Sequence, residues 1–214
     1  STSLTAKRAY DIADNFRGKG STVVLGGHHA TLRQEEAKQH ADTVVVGEAE
    51  TVWEKVLDDC SRGNLEPFYK GDKPETDQLP SPDRSIYRGK NYLPVEMVET
   101  TRGCPHRCTF CSVTSFFGPG YRHRKISDVV EEIRNLNHKF VFFVDDNIVG
   151  DFSYAKELFK ALIPLDIRWF SQGSIKMAWD DELLDLMKKS GCLGNLIGLE
   201  SLEPDSLKEI DKSW

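Results

Sequence analysis

Residues 104 to 111 read Cys-Pro-His-Arg-Cys-Thr-Phe-Cys, so three thiols fall inside eight positions, separated by three and then two residues. Thiolates bind soft or borderline metals, zinc and iron–sulfur clusters among them, and a loop that turns back on itself lets close cysteines converge on one centre. Gly103 and Pro105 favour such a loop. Buried cysteine also serves as a small hydrophobe, but cysteines in that role are scattered rather than clustered. A structural zinc site is closed by four ligands, commonly as two C-x(2-4)-C or H-x(3-5)-H pairs. Here the other cysteines, Cys60 and Cys192, are single and distant. A cubane cluster on three thiolates would instead keep one iron open for a substrate or cofactor.

The elements around this loop follow a strand–helix rhythm. A run that reads as a buried strand (Leu93, Val95, Met97, Val98), the strand itself over about 95–100, leads into it. Beyond it, Ser127 caps a helix with Val129, Ile133 and Leu136 inward, and strand 140–144 ends in Asp145-Asp146-Asn147. Ser153 opens the next helix, and strand 167–171 ends in Gln172-Gly173-Ser174. Asp180 caps a third helix, strand 196–199 ends in Glu200-Ser201, and Pro204 suits the first turn of a fourth helix. Four such units in succession predict a parallel (β/α) barrel cut short. In barrels of this kind, polar residues at the carboxyl ends of strands are site residues. The cysteine loop, Asp145, Asp146, Asn147, Gln172, Ser174 and Glu200 all occupy such ends. The basic run Arg122-His123-Arg124-Lys125 faces either an anionic group or solvent.

The first part of the chain shows the same alternation. An opening helix (Leu4, Ala6, Ala9, Tyr10, Ala13) precedes the apolar run 21–25, which suits a parallel strand buried on both faces. It ends in Gly26-Gly27-His28-His29, and Thr31 with Gln34 reads as a capping box. Strand 43–46 ends in Gly47-Glu48-Ala49-Glu50, followed by a helix whose apolar face is Trp53, Val56, Leu57 and Cys60. This is a doubly wound parallel sheet, with ligands expected beyond the carboxyl ends of its strands. Gly26, Gly27, Gly47 and Glu48 lie there, where glycine permits either ligand approach or an ordinary tight turn. Residues 62–94 are rich in glycine, proline and charge and read as a linker.

The cysteine spacing, with aromatic Phe110 before the last thiol and a strand before the first, resembles the cluster loop of the radical S-adenosylmethionine (radical SAM) superfamily. The resemblance implies that Cys104, Cys108 and Cys111 are the catalytic and metal-holding residues, carrying a 4Fe–4S cluster whose fourth iron chelates S-adenosylmethionine, and it places Phe110 among the cofactor contacts. The pattern Val-Val-Leu-Gly-Gly-His-His-Ala-Thr, with His40-Ala41-Asp42 and Gly-Glu-Ala-Glu, is similar to the second half of the cobalamin-binding domain that precedes many radical SAM modules. There the Gly-Gly turn borders the nucleotide tail of cobalamin; His28 and His29 are read as polar residues of the turn, not as cobalt ligands. Where many relatives carry a Gly-Gly-Glu motif for the amino group of S-adenosylmethionine, Asp145-Asp146-Asn147 stands here. Gln172 and Ser174 match the ribose and carboxylate contacts, and Glu200 matches a polar cofactor contact after the fourth strand.

The expected fold is thus α/β: the C-terminal part of a Rossmann-like cobalamin-binding domain (1–61), a linker (62–94), and the N-terminal part of a radical SAM partial (β/α) barrel (95–214). The implied function is reductive cleavage of S-adenosylmethionine and hydrogen abstraction, leading to cobalamin-dependent methylation or a related radical C–C bond-forming or rearrangement reaction. The implied partners are a small-molecule substrate, such as a lipid or natural-product precursor, and an electron donor such as flavodoxin or ferredoxin. Two alternatives are a methylthiotransferase acting on RNA or protein, which would need three more cysteines where only Cys60 precedes residue 100, and a non-catalytic metal-binding module. A cobalamin-binding regulator would leave the cysteine triplet without a purpose.

The bulk numbers agree. With 214 residues, 39% of them hydrophobic, one to two domains with real cores are expected. A net charge of −6 with both signs interspersed argues against electrostatic nucleic-acid binding. No apolar run nears the roughly 18 residues of a membrane span, and five cysteines, three of them clustered, fit a reducing cytoplasm better than a disulfide framework. Because the chain opens at Ser1 inside a helix and stops at Trp214 soon after another begins, it reads as a fragment, expected to be poorly soluble when excised.

Overall fold

The computed structural model describes residues 2–76, 79–87, 89–118 and 120–212, so Ser1 and Trp214 lie outside the described residues. The chain divides into two compact units, Ser1–Pro74 with Ser115–Phe117, and Glu75–Thr114 with Gly118–Trp214.

The first unit is built on three parallel strands in the order β1 (Val24–Leu25), β2 (Thr43–Gly47), β3 (Phe68–Gly71). Helix α1 (Ala6–Gly18) turns Ala6, Tyr10 and Ala13 inward. Tyr10 joins Ala30, Ala37, Ala41 and Val44 in a core whose small side chains let helix and sheet approach closely. Asp42 fixes the start of this sheet, accepting the Val23 N–H at 2.7 Å and pairing with Arg17 of α1 at 3.3 Å.

Three expectations change here. Residues 68–71, inside the stretch read as a linker, form β3, an edge strand in register with β2. Its sequence has no apolar run because an edge strand buries little: only Tyr69 is buried, its hydroxyl donating to Asp59 at 2.7 Å. The helix expected from Thr31 is instead α2 (His28–Leu32) followed by α3 (Gln34–Gln39), and the Thr31 hydroxyl accepts the Gly47 N–H at 2.9 Å rather than capping a helix. On α4 (Trp53–Ser61) only Val56 is buried, against Val45 and Tyr69; Trp53 and Leu57 are 43% and 53% exposed, since a three-stranded sheet covers a narrow stripe.

The second unit carries four parallel strands in the order β4 (Glu96–Val98), β7 (Phe140–Phe143), β8 (Arg168–Gln172), β9 (Cys192–Leu196). Helices α6 (Ile126–Arg134), α7 (Phe152–Leu162), α8 (Asp181–Lys189) and α9 (Pro204–Glu209) follow the successive strands. Period-two alternation on β7 buries Val141 and Phe143 on the helix side. Phe143 and Phe159 both pack on fully buried Trp169, whose indole N–H donates to Ser190 at 3.1 Å. On the other face Phe142 stacks on Phe170 with centroids 4.6 Å apart. Asp151 and Asp180 cap α7 and α8; Ser153, expected to open α7, donates its N–H to Asp151. Nor does Ser127 cap α6: it is the second residue of that helix, and its hydroxyl bonds Asp128.

The fourth strand lies four residues earlier than its apolar run suggests. Backbone pairing to β8, through a bulge at Trp169/Phe170, selects Cys192–Leu196; of the apolar residues beyond it, Ile197 packs against the core and Leu199 is exposed. A two-stranded antiparallel ribbon also appears, β5 (Thr101–Gly103) against β6 (Tyr121–His123), which closes the cysteine loop at its base. Among the described residues, no helix is long and apolar enough to cross a membrane.

Candidate active site: the cysteine loop at the strand ends

The loop is anchored where β4 ends. Asp145, just past β7, is 1% exposed and points at that end. Its carboxylate accepts the Thr100 N–H at 3.2 Å, the Thr100 hydroxyl at 2.7 Å and the Thr101 hydroxyl at 2.5 Å. Burial pushes the carboxyl up to about 6, while the threonine donors pull the other way. Asp145, expected as a contact to S-adenosylmethionine, therefore spends its oxygens on the neighbouring strand. Asp146, partly buried, is likewise pushed up to about 6, first by burial and then by the nearby charge of Glu99.

The basic run after the loop does not act as one group, because alternate residues of a strand face opposite sides. Arg124 is buried and pairs with Glu132 of α6 at 2.7 Å, while also donating to the Glu99 carbonyl at 2.7 Å. Glu132 also takes Arg84 at 2.6 Å, so one carboxylate holds two guanidinium groups. His123 faces the other way, stacked on Tyr154 at 4.3 Å, with Nε2 3.6 Å from Asp151. Burial holds the His123 imidazole below its usual range, against the pull of Asp151.

Between β5 and α5 (Ser112–Phe117) the three cysteines are half-buried, and none is in a disulfide. The Cys111 N–H closes a turn onto the Cys108 carbonyl at 3.0 Å. Burial raises the Cys104 thiol, opposed by N–H donors from the His106 backbone and the Asn147 amide. Burial also raises Cys108, with the Lys212 cation opposing it. Among the described residues no three His, Cys, Asp or Glu side chains form a ready-made metal-ligating group. The donor set still suits an iron–sulfur cluster: three free, half-buried thiols lie on one loop, which turns back on itself through the Cys111 N–H to Cys108 carbonyl bond.

The expected site residues separate into groups. Asn147 joins Cys104 to Ser174, its Nδ2 donating to the Cys104 sulfur at 3.8 Å and its Oδ1 accepting the Ser174 N–H at 3.0 Å. Gln172 takes part through its main chain, accepting the Ile148 N–H at 3.0 Å. Glu200 has a positive φ of 61° and pairs with Lys212 at 2.9 Å; that ammonium also lies 5.6 Å from the Phe110 ring centroid. The Ile210 carbonyl accepts the Thr109 N–H at 3.0 Å, which ties the cysteine loop to the segment after α9.

In the first unit Gly27 takes φ 90° just before α2, and its carbonyl accepts the Thr31 N–H at 2.9 Å. Gly26 lies beside β2, where a Cβ would meet Val45 in ordinary contact. Gly47 has a structural reason to be glycine, since a Cβ would come within 2.7 Å of the Gly71 carbonyl oxygen. Glu48, next to it, is buried. His28 packs on Phe116 at 4.0 Å, one of the three residues of α5 that group with this unit, and its imidazole is held below the usual range by burial.

A cavity of about 690 Å3 opens beside the loop, walled by His106, Tyr121, His123, Asp151, Ser174 and Lys176 among others. Gly150 lets this wall close up, because a Cβ there would lie within 2.9 Å of both Tyr121 and Pro105.

The family model described as the radical SAM superfamily matches residues 98–213, more than half of the sequence. The chain belongs to the radical SAM superfamily. Its relatives within it include bacteriochlorophyllide d C-12(1)-methyltransferase of Chlorobaculum tepidum, 37% identical over 224 residues covering 99% of this chain and 49% of the relative. Hopanoid C-3 methylase of Methylococcus capsulatus is 27% identical over 213 residues, covering 88% of this chain and 41% of that protein. Among solved structures, the radical SAM methyltransferase TsrM of Kitasatospora setae, with cobalamin and a [4Fe-4S] cluster bound, superposes with a TM-score of 0.74 at 18% identity, covering 98% of this chain and 50% of that one. The α/β fold with parallel sheets is thus shared with radical SAM methyltransferases. The chain spans about half the length of the curated relatives it matches.

Several radical SAM site features escaped sequence reasoning. The Asp145 anchor, the Asn147 link and the Tyr121 wall depend on strand pairing more than 25 residues apart in sequence. The available signal was the adjacent Thr100-Thr101 pair, two hydroxyls at the buried end of a strand, which need an acceptor.

Proposed function

We propose that this chain is part of a cobalamin-dependent radical SAM methyltransferase. The observation that carries the reading is the loop with free Cys104, Cys108 and Cys111, set at the carboxyl ends of a parallel sheet in a radical SAM module. These three residues would hold a 4Fe–4S cluster. The chemistry such a group supplies when bound is one-electron reductive cleavage of S-adenosylmethionine, with cobalamin supplying a methyl group for transfer. Phe110, Asp146, Asn147, Gln172, Ser174 and Glu200 remain candidate cofactor contacts.

The chain's own residues do the positioning. Asp145 clamps the loop entrance to β4, and the Arg124–Glu132–Arg84 bridge holds the segment before β4 against α6. The open cavity walled by His106, Tyr121 and Lys176, with Pro105, Val149 and Phe152 beside them, offers a place of mixed polar and apolar lining for a cofactor or substrate. The first unit, with its parallel sheet and Gly26-Gly27 and Gly47-Glu48 turns, is read as the C-terminal part of a Rossmann-like cobalamin-binding domain, extended through β3. Residues 95–214 would then be the first part of a (β/α) barrel.

The substrate class is a small molecule such as a lipid or natural-product precursor, in keeping with relatives named for bacteriochlorophyllide and hopanoid methylation. An electron donor of the flavodoxin or ferredoxin kind is required, and five free cysteines suit a reducing cytoplasm. The test is anaerobic reconstitution of the full-length protein with iron, sulfide and cobalamin, followed by electron paramagnetic resonance. A 4Fe–4S signal altered by S-adenosylmethionine and absent in Cys108→Ala is expected, with cobalamin retained through gel filtration. Zinc in place of iron, or a cluster indifferent to S-adenosylmethionine, would overturn the reading.

A further inference from the structure

Asn147 is 3% exposed and every polar atom of its side chain is engaged. Its amide orientation is fixed by chemistry. The Ser174 main-chain N–H is only a donor, so the atom 3.0 Å away must be the carbonyl oxygen. The NH2 group is then turned to the Cys104 sulfur, 3.8 Å away, within reach for the larger radius of sulfur. The main chain is held as firmly: the Asn147 carbonyl accepts the Tyr121 hydroxyl at 2.5 Å and the Gly150 N–H at 2.9 Å. Three elements thus meet on one residue, the cysteine loop through Cys104, the end of β8 through Ser174 and the β6 ribbon through Tyr121. A residue needed only for the turn into α7 would require none of the side-chain contacts.

We propose that Asn147 is a positioning residue for the cluster, holding Cys104 by an N–H···S hydrogen bond and raising the reduction potential of the cluster bound there. This rests on the reading of Cys104 as a cluster ligand. The reduced cluster carries one more negative charge spread over its sulfurs, so a donor aimed at a ligating sulfur stabilises the reduced form more than the oxidised one. Hydrogen bonds to ligating atoms are an established means by which proteins orient ligands and tune a metal centre.

The experiment is an EPR-monitored potentiometric titration of the anaerobically reconstituted full-length protein, wild type against Asn147→Asp and Asn147→Ala. Alanine removes the donor without adding charge and decides the test; aspartate keeps an acceptor for the Ser174 N–H but adds a negative charge beside the thiolate, which lowers the potential by itself, so its shift should exceed that of alanine. The expected result is a cluster with wild-type iron and sulfide content whose reduction equilibrium falls at least tenfold, about 59 mV more negative for one electron. A midpoint in Asn147→Ala unchanged from wild type would overturn the proposal and leave Asn147 a turn residue. A wild-type protein that binds no cluster would overturn the cysteine reading itself, and the proposal with it.

Discussion

Two neighbouring carboxylates at the end of β7 differ in what they can do, although the sequence presents them alike. Asp145 is consumed by Thr100 and Thr101, whereas Asp146 is left nearer the cysteines, where its charge is felt at Cys104. The first assignment carries a pH signature. Asp145 titrates near 3.8 in an unfolded chain and near 6 when folded, so the native state binds the proton more tightly between those values. Its contribution to stability is full below the unfolded value and lost as pH rises through the folded one; about two units correspond to about 3 kcal/mol. In Asp145→Asn, Oδ1 can still accept all three threonine donors while the titration disappears. Denaturant unfolding from pH 4 to 7.5 should show the wild type losing stability relative to the variant as pH rises; both curves also carry Asp146, which shifts in the same direction, and His28, His106 and His123, whose lowered imidazoles act in the opposite one. Equal slopes in the two proteins would show that Asp145 does not titrate as its burial dictates. Asp145→Ala is a different case, leaving three buried donors without an acceptor, at about 1–3 kcal/mol each. Cysteine spacing was legible from the sequence because it is local; the partner of Asp145 was not, because it lies 45 residues back.

The elements show where local pattern suffices and where backbone pairing decides. The parallel strands β2, β7 and β8 and the amphipathic α6, α7 and α8 were legible because their periodicity reports a buried face. Strand β3 and the β5–β6 ribbon were not, since short strands paired mainly through the main chain have little side-chain signal. Two glycines reveal this pairing by experiment. A Cβ on Gly71 would overlap the Glu48 carbonyl oxygen, and one on Gly191, at φ 93°, would overlap the Ile167 carbonyl oxygen. Gly63 also has positive φ, at 71°, but nothing lies within 4 Å of its Cβ position. Gly63→Ala should therefore cost only the conformational term, about 1–2 kcal/mol. Gly191→Ala should cost distinctly more, since backbone on both sides must move as well, and Gly71→Ala should loosen β3 from β2. Thermal melts of the three variants check the ranking; a Gly191→Ala protein as stable as Gly63→Ala would contradict the packing at the end of α8. The buried bridge gives a further check. Glu132→Ala strands Arg84 and Arg124 without their shared carboxylate and should cost about 3–5 kcal/mol, whereas exposed Lys208–Asp205 should cost under about 1 kcal/mol when broken.

At the scale of the whole chain, charge and exposed surface make separate predictions. With 34 acidic against 28 basic residues, the surface lacks the excess of cations that phosphate backbones require, so transfer RNA should show no salt-dependent binding. Binding with a steep salt slope would revive the methylthiotransferase alternative. The apolar surface points to a different behaviour. Strand β9 is the last of its sheet, and among the described residues nothing pairs with its outer edge. Leu196 on that strand is 72% exposed, and Leu202 beyond it is 88% exposed. An unpaired edge flanked by exposed leucines is a template for strand addition by another chain, and neither proline nor a charged side chain interrupts Cys192–Leu196. The 214-residue chain taken alone should therefore associate in a concentration-dependent way, read by sedimentation velocity as a weight-average mass that rises with loading. Leu193→Lys and Leu196→Lys, which put charge on the edge without touching the core around Trp169, should return it toward monomer. If the unmodified chain sediments as a single monomer at every concentration, the edge is protected by its own twist or bulge, and the exposed leucines do not drive association.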